Sequence, residues 1–90
     1  MFLDAYDVQQ ALAQYLRARR EAASLSRNAL AEQSLVPAST IKKFELTGQI
    51  SLRQFVLLWQ CLDELERLNN LTQPVPKIPT SIDEVLSGDF

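Results

Sequence analysis

The 90 residues contain no histidine. That absence removes Ser-His-Asp and Cys-His catalysis together with most zinc sites, so neither an enzyme nor a metal or other cofactor is expected. Cysteine is nearly absent too. The single Cys61 cannot form an internal disulfide, and its place in the apolar segment between Trp59 and Leu62 reads as a packed thiol. Glycine occurs twice and proline four times against 47% hydrophobic residues, the balance of a folded, helical chain rather than a disordered one. Runs of about 18 apolar residues, the length of a membrane span, are missing. The opening Met-Phe-Leu-Asp-Ala-Tyr-Asp carries acids where a signal peptide carries bases. The expectation is a cytoplasmic, nucleoid-associated protein with no membrane partner.

What is present is strongly segregated charge. The net charge is only -2, yet between Leu16 and Arg53 seven cations (Arg17, Arg19, Arg20, Arg27, Lys42, Lys43, Arg53) face three anions (Glu21, Glu32, Glu45), a local excess of +4. Residues 54–90 reverse this, with Arg67 and Lys77 against Asp63, Glu64, Glu66, Asp83, Glu84 and Asp89, a deficit of -4. Charge acts where it sits, so the middle of the chain suits a polyanion and its last third suits a different partner.

Capping signals divide the chain into helices. Asp4 or Asp7 suits the start of a first helix running to about Ala22, with Val8, Leu12, Tyr15 and Leu16 as its buried stripe. Ser26 caps a second helix that carries Leu30 inward and ends near Gln33, and Pro37 opens a third that stops at Thr47-Gly48. Ser51-Leu52-Arg53-Gln54 has the form of a capping box, opening a fourth helix with Leu52, Phe55, Trp59 and Leu62 on one side. Asp63-Glu64-Leu65-Glu66 repeats the pattern, marking a fifth helix or a bend that carries Leu65 and Leu68. Pro74, Pro76 and Pro79 then impose an extended connector before a short segment in which Ile82, Val85 and Leu86 share a side. A seven-residue helix does not persist alone in water, so Ile82, Val85, Leu86 and Phe90 are expected to dock on something. Two units follow: residues 1–70 as a helical domain and 71–90 as a Pro-rich tail.

From Leu25 to Glu45 the pattern is two short helices and a tight turn. Ala38, Ser39, Lys42 and Lys43 fall on one polar side of the second helix, with Ile41, Phe44 and Glu45 on the opposite arc. A helix enters a major groove only if one side packs on its own domain while small polar and cationic residues line the other.

Leu16-Arg17 with Arg20, Leu25-Ser26 before Leu30-Ala31-Glu32, Val36-Pro37-Ala38-Ser39-Thr40-Ile41, Phe44-Glu45 and Gly48 together resemble the Cro/CI (XRE) helix-turn-helix family over about Val8 to Leu68. The run from Phe44 to Leu52, followed by the Pro-rich tail, is similar to antitoxin-type members related to HipB, which partner HipA-type kinase toxins. The resemblance implies an all-α, compact five-helix bundle of the lambda-repressor-like type that binds palindromic double-stranded operator DNA as a homodimer. It implies a sequence-specific transcriptional repressor, an antitoxin autoregulating its operon. Arg27, Ala38, Ser39, Lys42 and Lys43 match the family's DNA-contacting positions, while Gln49, Ser51 and Arg53 match its backbone-contacting loop and helix start. Arg20 and Glu45 match a structural ion pair.

Two residues depart from the family's pattern. Leu35 replaces the usual glycine of the turn, which costs on the order of 1 to 2 kcal/mol if that residue is left-handed. Ala38 stands where many relatives carry Gln, removing a bidentate adenine reader. Two rival readings share the same residues: a protein-interaction module that neutralises a toxin without binding DNA, and a phage-type repressor with no toxin.

Overall fold

In a computed structural model that describes residues 2–75, the first helix, α1 (Ala5–Ala22), opens on a reciprocal cap. The Asp7 amide donates to the Asp4 carboxylate at 2.8 Å and the Asp4 amide donates back to Asp7 at 3.3 Å, so both acids named from the sequence share the cap. Ser26 caps α2 (Arg27–Ser34) by accepting from the Ala29 amide. Pro37 stands at the N-cap of α3 (Ala38–Thr47), and Gly48 ends it in the left-handed region at φ 77°. After α4 (Leu52–Leu62) come the short α5 (Leu65–Asn69) and a 3-10 turn, Asn70–Thr72. The result is an all-α bundle of five helices, with no strand among the described residues.

The core is Ala13, Leu16, Leu30, Val36, Ile41, Phe44, Phe55, Leu58, Trp59 and Leu62, drawn from α1 to α4 and the turn before α3. Through it runs an aromatic chain in which Phe44 meets Phe55 edge-on at 5.9 Å, Phe55 meets Trp59 at 5.9 Å and Trp59 meets Tyr15 at 5.7 Å. Such tilted pairs add about 0.5 to 1.5 kcal/mol each to the burial of their area. The Trp59 indole N–H does not go unpaired, because it donates to the Glu64 carbonyl at 2.7 Å.

Several expectations about which side is buried are corrected. The inner stripe of α1 is Ala13, Leu16 and Arg20 at i, i+3 and i+7; Val8 is exposed, while Leu12 and Tyr15 are only half-buried. In α4, Leu52 is exposed and Leu58 takes the inner place. Ser51 does cap α4, accepting from the Gln54 amide at 3.1 Å, but Gln54 Oε1 accepts from the Ser51 hydroxyl at 3.0 Å and not from the Ser51 backbone amide, so the box is not reciprocal through the backbone. No side chain caps α5, where Leu65 is exposed. Cys61 is half-buried, and that burial pushes its thiol pKa up. The expectations for Ile82, Val85, Leu86 and Phe90, and for most of the Pro-rich connector, lie outside the described residues.

Gly48 is required for two reasons. Its φ is positive, and a Cβ there would lie 3.2 Å from the Gln9 backbone carbon and 3.1 Å from the Gln9 Cβ. This close approach lets Gln10 Nε2 donate to the Thr47 carbonyl at 2.8 Å, fastening α1 to the end of α3.

Candidate nucleic-acid interface

The turn between α2 and α3 fixes how α3 is presented. Leu35 caps α2 at φ 62° and ψ 20°, with its amide donating to the Ala31 carbonyl at 2.9 Å and its side chain 85% exposed. Val36 is buried next to it, and the Ser34 hydroxyl accepts from the Val36 amide at 3.2 Å. The left-handed residue is therefore a leucine carrying backbone strain without burying its side chain in return.

With the turn set, Ile41, Phe44 and Glu45 of α3 point into the bundle, and Ser39, Lys42 and Lys43 lie outside it, all three exposed. Ala38, half-buried, opens the helix, and Leu46 is 60% exposed near its end. Gln49, Ser51 and Arg53 are exposed in the loop and first turn that follow. That loop is held by Thr47, whose hydroxyl donates to the Lys43 carbonyl at 2.7 Å and accepts from the Gln49 amide at 3.1 Å. The Ser51 hydroxyl is already engaged as the α4 cap. The Gln49 side chain, Arg53 and the backbone amides from Ser51 to the first turn of α4 are the groups that remain for an anion.

Behind this face lies a three-helix ion cluster. Arg20 of α1 grips Glu45 of α3 with two bonds, Nε to Oε2 at 2.7 Å and Nη2 to Oε1 at 3.0 Å, while its Nη1 donates to the Leu25 carbonyl at 2.9 Å. Arg27, placed from the sequence among the DNA contacts, also donates from Nε to Glu45 Oε1 at 2.9 Å. Burial pushes the Glu45 pKa up, and the hydrogen bonds from Arg20 and Arg27 outweigh it, leaving the carboxyl below its ordinary value. The Glu45 bond raises the Arg20 pKa in turn.

A second polar cluster was not foreseen from the sequence. The Tyr15 hydroxyl donates to Asp63 Oδ2, and Arg67 Nη1 donates to both the Tyr15 oxygen (2.9 Å) and Asp63 (2.7 Å). The Arg67 guanidinium also lies over the Tyr15 and Trp59 rings, at 5.9 and 5.8 Å. Hydrogen bonds from Tyr15, then from the Glu64 amide, hold the Asp63 carboxyl below its usual range. Asp63 and Arg67 at i and i+4 were the only local signal, since Tyr15 is 48 residues from Asp63.

The family described as Helix-turn-helix domain matches residues 11–58, more than half of the chain and the whole of α2 and α3. The chain belongs to this family. Its class is thus that of a DNA-binding regulator, in agreement with the Cro/CI-like resemblance of the same residues. No curated protein and no solved structure matches the chain. No described helix is long and apolar enough to cross a membrane, and no described group of His, Cys, Asp and Glu is arranged to hold a metal ion.

Proposed function

We propose that this helix-turn-helix protein is a transcriptional repressor that binds a palindromic operator as a homodimer, each subunit laying α3 in a major groove. One observation carries the reading: Lys42 and Lys43 are exposed on the same helix whose Ile41, Phe44 and Glu45 are buried. Ser39 and the lysines then face base edges and phosphates, while Arg27, Gln49, Ser51 and Arg53 approach the backbone on either side. With Ala38 in place of a glutamine, discrimination rests on Ser39, the lysines and DNA shape. Footprinting of DNA upstream of the gene tests this. Two protected half-sites about one helical turn apart support the dimer; no protection at any concentration that saturates non-specific DNA opposes it.

We further propose the antitoxin role, with a HipA-type kinase as the partner and the acidic, Pro-rich tail as the docking segment. Its support is the resemblance together with two apolar grooves flanking α5. One, lined by Leu3, Val8, Leu12, Tyr15 and Trp59, measures about 370 Å³, and the other, lined by Val56, Leu65 and Leu68, about 570 Å³. The same grooves favour the rival reading of a pure interaction module. Deleting residues 74–90 separates these outcomes. Failed partner capture with intact operator binding supports a division of labour, whereas failure of both assigns the tail to dimer assembly.

A further inference from the structure

Glu45 belongs to the recognition helix, yet it is 8% exposed and faces away from the groove-lining residues. Its carboxylate accepts three hydrogen bonds from two arginines. All three nitrogens of the Arg20 guanidinium are used inside the bundle, on Glu45 and on the Leu25 carbonyl. Arg27 is different. Only its Nε is bound, its side chain is 30% exposed, and its two terminal amines make no hydrogen bond among the described residues. A guanidinium is planar, so fixing the Nε–H on one partner fixes the direction of the other donors. One carboxylate against two guanidiniums also leaves a surplus positive charge. A polar concavity of about 420 Å³ opens beside them, with Arg17, Glu21, Ser26 and Asn28 on its walls, the Glu21 charge being matched by Arg17 at 2.9 Å.

We infer that Glu45, itself clamped by Arg20, is a positioning residue that holds the Arg27 guanidinium by its Nε so that the terminal amines meet a DNA phosphate. The inference rests on the proposed DNA binding and adds to it a mechanical link. The phosphate contact at the start of α2 is aimed by a residue of α3, so it is in register only when α3 is seated. Lysine cannot replace Arg27 in this role, because one ammonium cannot lie against Glu45 and reach outward as a fork.

The test is binding to a fluorescein-labelled random duplex of about 30 base pairs, followed by anisotropy from about 50 to 200 mM salt. Charge alone predicts that Glu45→Gln, which removes an anion, tightens binding; positioning predicts that it weakens binding by about five- to tenfold. In an Arg27→Ala background the same change then weakens nothing. Arg27→Lys is expected to fall nearly as far as Arg27→Ala and to reduce the salt slope by about one. Tighter binding by Glu45→Gln, equal weakening in both backgrounds, or wild-type affinity and slope for Arg27→Lys overturns the inference. Should Glu45→Gln fail to fold by circular dichroism, the surface variants Arg27→Lys and Arg27→Ala decide alone. Absence of binding by the wild-type chain would instead defeat the DNA-binding proposal itself.

Discussion

Replacing Leu35 with glycine should stabilise the protein. At φ 62° a leucine bears about 1 to 2 kcal/mol of left-handed strain, which glycine does not. Glycine brings a cost of its own, about 0.5 to 1 kcal/mol, through the greater freedom of the unfolded chain. A third contribution, the burial forfeited with the side chain, is nearly nil because Leu35 is 85% exposed. The amide bond to Ala31 is retained by either residue. The balance lies between about 0 and 1.5 kcal/mol in favour of glycine, and its midpoint of about 0.75 kcal/mol raises Tm by roughly 3 to 6 °C for a domain of this size. Thermal melting followed by circular dichroism at fixed protein concentration reads the shift, and a urea midpoint checks that the m-value is unchanged. Leu35→Ala is the control: it keeps the Cβ and hence the strain, so its Tm should stay near wild type. A fall in Tm for Leu35→Gly would mean that the side chain makes a stabilising contact. An equal rise for both variants would mean relief of something other than backbone strain, and either result defeats the prediction.

The other predictions concern what fastens α3 to the bundle. Gly48→Ala should destabilise by more than about 1 to 2 kcal/mol in urea unfolding, because left-handed strain adds to the clash with Gln9. Leu30→Ala, at a fully buried site, should cost about 2 to 5 kcal/mol, enough to unfold much of a small domain at 37 °C by the same assay. The Glu45 carboxyl has a folded pKa lowered from its ordinary 4.5, so its contribution to stability is present above that value and disappears as pH falls through the lower folded one. A Tm series from pH 7 to pH 3 should therefore show a drop below about pH 4.5. Glu45→Gln should remove part of that drop; an identical pH profile in the variant would contradict the ion cluster. Asp63 shifts in the same direction, and Asp63→Asn should remove a separate part.

Helix ends were legible in the sequence because they are decided locally. Asp4, Ser26, Pro37, Gly48 and Ser51 each meet a cap or a stop through neighbours within a few residues. Sidedness was less legible. Val8 and Leu52 are apolar and correctly spaced, yet each lies near a helix end where no other described element covers it, so Ala13 and Leu58 occupy the inner positions instead. Arg20 was placed with Glu45 only by resemblance, and the involvement of Arg27 could not be read from spacing, since 18 residues separate it from Glu45. Tyr15, Asp63 and Arg67 show the same limit: their cluster exists only after α1 has packed on α4 and the chain beyond Asp63 has turned into α5, which brings Arg67 to Tyr15. The exposure of Lys42 and Lys43 needed no such long-range partner, because Ile41, Phe44 and Glu45 fix the rotation of α3 by their burial.

The proposed DNA binding stands on α3 offering its two lysines to a duplex. Salt dependence of operator binding by Lys42→Ala, Lys43→Ala and the double variant tests that presentation without touching the core. Both side chains are exposed, so all three proteins should keep their stability to within about 0.5 kcal/mol. Binding should weaken, and the salt slope should become shallower by roughly 0.9 for each phosphate that a lysine no longer neutralises. Wild-type affinity and slope in the folded double variant would show that α3 does not meet DNA through these residues.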